Sequence, residues 1–482
     1  MTTTSNSNPP ELAPTRTSVR PFGLRDKLGY AFGDLGNDFS FILAASFLLI
    51  FYTNVLGISA AVAGSIMMGV RLVDAFIDVA VGRLVDRSKM GPNGRFRPWI
   101  IRFAVPVAVA SVLLYWTGPA GWGDGAKIAY AAVTYLLWSA LYSAVNIPYG
   151  SMAAVISPDP TDRSSLSVFR TFGAFFAAML ISFTVPLFIY TKDAAGKTQV
   201  VAQAFFWIAV ACAVLSILAY LGCYKLSTER VQLPTKAASE SAGLGATLAS
   251  LGRNRAMVAI IAAALILLVS TMLVQATVSY LWAIYFNNGA LQGVASLAGM
   301  VPTLLLLPFA TKLARRFGKR ELSSVGVTFA AVVYVVLFFL PLHDSPVAFI
   351  VLTVLAGLGF GVFNTLIWAF ITDVIDYQEV LFDQRNDGVV YSVYSWARKV
   401  GQALAAGLGG WALGWVGYQA GTTTQAAETV SGIYMLSTLV PGVLYAGVAL
   451  VLFFWYPLTR QAVLENTEVL AARHRDAADT AH

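Results

Sequence analysis

Two aspartates four residues apart, Asp74 and Asp78, lie inside an apolar stretch that begins near Ser59. On a helix this spacing sets both carboxylates on one face, one turn apart. Two carboxylates that close in a low-dielectric setting cannot both ionise cheaply. Either they share a proton or a cation sits between them, and carboxylate and hydroxyl oxygens suit a small hard cation such as Na⁺. Arg71 stands three residues before Asp74. An Arg71–Asp74 ion pair that only neutralises the segment is the plainer reading, and it leaves Asp78 unexplained.

Other charges are equally out of place. Asp38, Arg170, Arg398 and Lys399 also fall within apolar runs, where a charged side chain is costly unless it faces protein or a wet cavity. A carboxylate and a guanidinium facing one cavity, as Asp38 and Arg170 could, suit a polyhydroxylated solute, because sugar hydroxyls both donate and accept hydrogen bonds. A buried interhelical salt bridge is the alternative. Arg398 and Lys399 are adjacent, so on a helix their side chains diverge by about 100° and cannot serve one spot. The lysine could compete with a cation for the paired aspartates, or one of the two could pair with Asp373 or Asp376. Asp373, Asp376, Glu379, Asp383, Arg385 and Asp387 form either a solvated acidic loop or a gate that closes on basic loops.

These residues need apolar elements to hold them. The chain has 482 residues, 57% hydrophobic and 12% charged, about half the charged fraction of a soluble protein. The deficit runs through nearly the whole length, which makes this a multi-pass membrane protein. Its net charge of +7 resides in short loops and gives no reason to expect nucleic acid binding. Cys212 and Cys223 share one segment, about 16 Å apart along a helix, too far for a disulfide. The three histidines are scattered, so no metal cluster is expected. Residues 1–27 are polar, without the apolar core of a signal peptide.

Twelve spanning segments are expected, starting near Leu28, Ser59, Trp99, Ala126, Ser164, Gln203, Ala256, Leu291, Glu321, Pro346, Val389 and Thr429. Asn287-Asn288-Gly289 is the turn signal at the weakest boundary, between the seventh and eighth. Loops after even-numbered segments are basic, with Arg87, Lys89, Arg95 and Arg97 in one, Arg230, Lys236, Arg253 and Arg255 in another, and Arg315, Arg316, Lys319 and Arg320 in a third. Loops after odd-numbered segments hold only Lys127, Lys192 and Lys197. The positive-inside rule then puts both termini in the cytoplasm, with the chain in the cell (inner) membrane. The polar stretch from about Ser227 to Gly252 reads as a flexible linker.

The expected division is an N-terminal tail (1–27), a six-helix bundle (28–226), a linker (227–255), a second six-helix bundle (256–457) and a C-terminal tail (458–482). An internal repeat supports it. Ser167-Val-Phe-Arg170-Thr-Phe-Gly173 and Ser395-Trp-Ala-Arg398-Lys-Val-Gly401 both read S-x-x-R-x-x-G, each in the fifth segment of its half. The fold class is therefore all-α integral membrane, two pseudo-symmetric six-helix bundles of the major facilitator type, with a solute held near midplane between them.

Several ordered motifs carry a resemblance to a known family. They are Gly33-Asp-Leu-Gly-Asn37-Asp38-Phe, Tyr52-Thr-Asn-Val-Leu-Gly57, Arg71-Leu-Val-Asp74-Ala-Phe-Ile-Asp78, Gly94-Arg-Phe-Arg-Pro-Trp99, Asn146-Ile-Pro-Tyr149-Gly and Thr372-Asp373-Val-Ile-Asp376-Tyr-Gln-Glu379. From about Gly29 to Tyr456 the chain resembles the glycoside–pentoside–hexuronide:cation symporters. The resemblance implies a cation site of Asp74, Asp78 and Ser143 with Lys399 linked to it. It also implies a sugar site of Asn37, Asp38, Asn146, Arg170, Asn364, Ser395 and Arg398, and a cytoplasmic salt-bridge network of Asp373, Asp376 and Arg385. Three departures matter. Ile77 stands where the family's melibiose carrier has an asparagine, Asn146 where it has an aspartate, and Gly150 where it has a tryptophan. The first removes an oxygen ligand for Na⁺, and the other two argue against melibiose itself.

The expectation is thus a monomeric secondary symporter that moves a sugar with H⁺ or Na⁺ and needs no cofactor. A carrier of an amphiphile such as a lysolipid is the rival, and an apolar cleft around Asp38 would favour it. A non-transporting sensor is a second rival. No nucleophile–base or metal cluster suggests an enzyme.

Overall fold

The computed structural model describes residues 20–88, 91, 93–231, 254–382, 387–422 and 424–480. Apolar runs of more than about 20 residues in lipid must satisfy their own backbone groups, and a helix does so within one segment. The chain accordingly forms α1 (Leu24–Asn54), α2 (Ala60–Arg87), α3 (Arg97–Leu114), α4 (Asp124–Ile156), α5 (Pro160–Ile189) and α6 (Ala202–Leu226). The second half holds α7 (Arg255–Tyr280), α8 (Leu291–Phe317), α9 (Lys319–Phe339), α10 (Pro346–Phe382) and α11 (Asp387–Trp415). The twelfth segment is broken into α12 (Ala427–Ser437) and α13 (Leu439–Leu450), and α14 (Arg460–Thr480) follows.

Among the described residues, eleven helical stretches are long and apolar enough to cross a membrane. Outside that set are the C-terminal α14 and α11, the latter 29 residues long and carrying Arg398, Lys399 and a run of glycines. Helix α11 packs on α2 of the first half and on α7 of the second.

The packing repeats with a shift of six helices. Within the first half α1 packs on α5 and α6, α3 on α4 and α6, and α2 on α4. Within the second half α7 packs on α11 and α13, α9 on α10 and α13, and α8 on α10. The halves meet through α2 with α11, α5 with α8, and α1 with α7. The first two pairs exchange under the pseudo-twofold, which is the two-bundle arrangement expected from the repeat.

The repeat itself has a packing role. A Cβ on Gly173 would fall 2.4 Å from the Ala31 carbonyl oxygen of α1, and one on Gly401 would fall 2.5 Å from Leu265 of α7. Each glycine lets the fifth helix of its half lie against the first, and the arginine three residues earlier then faces the interior.

Boundaries differ from expectation at both chain ends and at the linker. α1 starts at Leu24, four residues early, with Asp26 buried and held by Arg20 and Arg230. The C-terminal segment expected as a tail is the helix α14. Thr228–Val231 is anchored to the first half: Arg230 N–H and Val231 N–H both donate to Val155 O. Glu229 accepts from the N–H groups of Arg95, Phe96 and Arg97 at the start of α3. Four unpaired donors open every helix, so a carboxylate there is well placed. The rest of the expected linker, 232–253, lies outside the described residues.

Candidate cation and solute sites

The paired aspartates of α2 meet α4 and α11. Ser143 Oγ of α4 donates to Asp78 Oδ1 at 2.6 Å and lies 3.3 Å from Asp74 Oδ1. Lys399 Nζ of α11 donates to Asp78 Oδ2 at 2.7 Å. Arg71 Nη1 is 3.7 Å from Asp74 Oδ2. The structure therefore brings all four expected cation-site residues together. It also shows the Arg71–Asp74 pair, though Asp78 keeps its own separate partners.

Helix geometry explains the convergence. The i, i+4 spacing turns both carboxylates towards α4, and Ser143, buried on its facing side, reaches between them. Arg71 is enclosed by aromatics, its guanidinium carbon 5.3 Å from the ring centre of Phe41 and 5.9 Å from those of Tyr135 and Trp138. Such a box desolvates a cation while its π-faces offset part of the cost. Two acids and two cations share the cluster, so with all four ionised its net charge is zero.

Beside it lies a cavity of about 360 Å³ between α1, α4 and α5, lined by Asp34, Asp38, Phe41, Tyr142, Asn146, Arg170, Thr171 and Ala174. Arg170 does not pair with Asp38. Its Nε donates to Asp34 Oδ1 at 3.0 Å, and its guanidinium lies 5.5 Å from the Tyr149 ring centre. Asp34 is an acid in the cavity wall that sequence reasoning passed over. It sits four residues before Asp38 and hence on the same helix face, the same signal that exposed Asp74 and Asp78. With Arg170 engaged by Asp34, Asp38 keeps its carboxylate for the cavity.

The wall behind is tightly built. A Cβ on Gly33 would fall 2.3 Å from the Tyr149 ring, and one on Gly36 would fall 2.8 Å from the Tyr220 ring. Tyr149 OH donates to Tyr30 O at 2.9 Å, and Tyr220 OH donates to Asn37 Oδ1 at 2.9 Å. Asn37 is buried and its Nδ2 reaches Asn146 Oδ1 at 3.4 Å, so it orients Asn146 rather than lining the cavity.

The second-half residues are placed elsewhere. Arg398 stands over the rings of Trp368 and Tyr394, at 5.7 and 6.0 Å, and Asn364 is exposed on α10. Neither belongs to the 360 Å³ cavity lining. The side chain of Ser395 lies outside the described residues, as does Arg385. Asp373 accepts from Lys319 Nζ of α9 at 2.6 Å. That ion pair lies within the second half, so it does not itself bridge the bundles. Asp376 lies one turn away and has interactions of its own.

The halves are tied at the end that carries the loops after odd-numbered helices. Thr53 Oγ1 and Tyr280 OH are 2.8 Å apart, Tyr418 OH donates to Asn54 Oδ1 at 2.5 Å, and Gln275 Nε2 donates to Ser46 Oγ at 3.1 Å. Backbones touch there too: a Cβ on Gly410 of α11 would fall 2.3 Å from Ala60 O of α2.

A family model described as MFS/sugar transport protein matches residues 29–460. The chain belongs to the glycoside–pentoside–hexuronide:cation symporter family. The glucuronide carrier protein homolog of Escherichia coli (strain K12) is 33% identical to this symporter over 437 residues, which is 90% of this chain and 93% of the relative. The isoprimeverose transporter of Lactiplantibacillus pentosus is 30% identical, with 89% and 88% covered. A solved D-xylose-proton symporter has 13% sequence identity, a TM-score of 0.61 and coverage of 90% of this chain and 98% of its own. At that identity it supports the symporter's major facilitator fold alone.

Proposed function

We propose that the chain is a secondary active symporter that couples proton entry to uptake of a sugar of the glycoside, pentoside or hexuronide class. The observation that carries this is the cluster of Asp74, Ser143, Asp78 and Lys399, which joins α2, α4 and α11 next to a polar cavity. The relatives named as a glucuronide carrier homolog and an isoprimeverose transporter support a sugar cargo. Polarity of the cavity around Asp38, with two carboxylates, a guanidinium, an amide and two hydroxyl-bearing side chains, favours sugar hydroxyls over a lysolipid chain.

The proton is favoured over Na⁺ by ligand count. Asp78 already has Ser143 and Lys399 on its oxygens, Asp74 faces Arg71, and Ile77 offers no oxygen. Few oxygens remain to wrap a sodium ion, whereas a proton needs one. Phe41 links the two sites: it lies against Arg71 on one side and stacks on Tyr142, at 5.7 Å, on the other, within the cavity wall. Loading the cluster therefore bears on the shape of the solute cavity.

With both termini in the cytoplasm, as the basic loops suggest, the tied end faces outward and the state is inward-facing. Rocking of the halves about the α2–α11 and α5–α8 contacts then exposes the cavity to the other side. The test is uptake into proteoliposomes under an imposed pH or Na⁺ gradient. A pH gradient is expected to drive accumulation and Asp74→Asn to abolish it. Intact accumulation in that variant would overturn the coupling assignment. A thermal-shift panel of glycosides, pentosides and uronides narrows the cargo, since a ligand stabilises the state that binds it.

A further inference from the structure

At the tied end the two halves line a second, partly open cavity of about 350 Å³, separate from the solute cavity above. One wall is Asn54, at the end of α1, with Lys197 and Gln199 from a hairpin of β1 (Tyr190–Lys192) and β2 (Thr198–Val200). The facing wall includes Asn287, His343 and Gln425 of the second half.

Asn287 joins the walls. Its Oδ1 accepts the Thr198 N–H at 2.6 Å and its Nδ2 donates to Gly196 O at 3.0 Å, so the side-chain amide pairs with the hairpin as a neighbouring strand would. The residue has a φ of +48°, a conformation asparagine adopts more readily than most side chains. Beside it, Gly289 leaves room for Tyr190, whose hydroxyl donates to Gln292 Oε1 at 3.1 Å; a Cβ at 289 would fall 2.3 Å from that ring.

The amides of Asn287 and Gln425 are engaged within the protein, so the donors the lining offers a ligand come chiefly from Lys197 and Asn54. Among the described residues the lining contains one lysine and one histidine and no carboxylate. His343 is hydrogen-bonded to Asp344 at 3.1 Å, whose exposed carboxylate lies outside the lining, and Lys197 is the lining's other basic residue. Asn54 Oδ1 already accepts from the hydroxyls of Thr53 and Tyr418, at 2.9 and 2.5 Å, so the group it offers to a ligand is its N–H₂. The cavity beside Arg170 differs, since two aspartates line it. The size falls at the lower end of small-molecule pockets, about 300–1,000 Å³.

We propose that this cavity is a second binding site, for a small anionic polyhydroxylated molecule of the sugar-acid class, present only while this end is shut. Its walls belong to two bodies that must part for the end to open. An occupant binds the shut state and not the open one, and so holds the carrier shut. Resting on the alternating-access reading, the consequence for transport is that a sugar acid in excess on this side slows the carrier's return and lowers uptake at high concentration. The binding itself does not depend on that reading.

The experiment uses purified full-length protein carrying Asp38→Asn and Arg170→Gln, which removes the guanidinium and one of the two carboxylates of the first cavity. Equilibrium binding is measured with D-glucuronate, with D-glucose as the neutral control. Saturable binding of glucuronate alone is expected, weakened about threefold to tenfold by Lys197→Gln and restored by Lys197→Arg. Where the double change disturbs folding, alkylation of Gln199→Cys in the otherwise unchanged protein reads the same site, and glucuronate is expected to protect it. Absence of saturable binding and of protection, or binding indifferent to Lys197, overturns the proposal. Failure of the coupling reading shows elsewhere, as gradient-driven uptake that survives Asp74→Asn.

Discussion

Lys399 of α11 donates to Asp78 of α2 at 2.7 Å, an ion pair that crosses from one bundle to the other. Ser143 occupies the other oxygen of the same carboxylate. Under the proposed function, this tethered ammonium occupies the place of a coupling cation. Protonating Asp78 removes the charge that holds Lys399, so loading the site loosens a bond between the halves. On the proposed coupling role, chemistry at this one carboxylate is tied to bundle movement.

Lys399→Gln is therefore expected to leave solute binding measurable while uncoupling it from the gradient. Asp78→Asn alone strands the lysine, and Asp78→Asn with Lys399→Gln removes both charges. The double variant is expected to be more stable than the sum of the singles implies, by about 1 kcal/mol, towards the lower end for contacting pairs because the lysine is half-exposed. Melting temperatures of the four proteins close the cycle. Strict additivity would mean that the pair contributes nothing.

Asp34 is expected to matter as much as Asp38. Its side chain is 7% exposed and holds Arg170, itself 46% exposed. Removing one partner of a fully buried pair costs about 3–5 kcal/mol, and exposure of the arginine reduces this to about 1–2 kcal/mol. Asp34→Asn should lower stability by that amount and weaken solute binding, because Arg170 is then free to turn to Asp38. Asp38→Asn should weaken binding with little change in melting temperature. Equal losses of stability in the two variants would contradict the assignment.

How far the sequence discloses such roles depends on the physics involved. Membrane cost singles out Asp74, Asp78, Asp38 and Arg170 without any structure, since each is a charge in an apolar run. It overlooks Asp34, which lies only six residues after the expected helix start at Leu28, though ten after the observed start at Leu24. The pairing of Arg170 with Asp34 over Asp38 is a difference of one helical turn, and spacing alone does not rank the two. Asn287 was legible only as a turn, because nothing local shows that its amide meets a hairpin some 90 residues earlier. The glycine repeat was readable as a repeat, whereas its function, close approach of α5 to α1 and of α11 to α7, needs the packed bundle.

Backbone contact between α2 and α11 makes a second forecast. A Cβ on Gly410 meets Ala60 O at 2.3 Å, and one on Gly64 meets Gly407 O at 2.6 Å. Gly410→Val forces the helices apart at the tied end, and overpacking of this kind costs about 1–3 kcal/mol. Only the shut state bears that cost, so the population should move towards the state open at this end. Solute added from this side is expected to bind more tightly to the valine variant, with gradient-driven turnover reduced. Unchanged binding together with unchanged turnover would show that the seam has room to adjust.

Asn287 offers the sharpest test of the shut state. Its two hydrogen bonds to the hairpin contribute about 1 kcal/mol each, so Asn287→Ala should raise the open-to-shut ratio by about 30-fold. Thr53 is the reporter: it is fully buried, and its hydroxyl lies 2.8 Å from Tyr280 of the other half. A cysteine there becomes reachable by a maleimide in solution only when this end opens. Thr53→Cys labelling should therefore be slow in the parent and much faster with Asn287→Ala. Asn287→Asp keeps the acceptor for Thr198 N–H and loses the donor to Gly196 O, so its rate should fall between the two. The same labelling rate in all three backgrounds would mean that Asn287 does not hold the end shut.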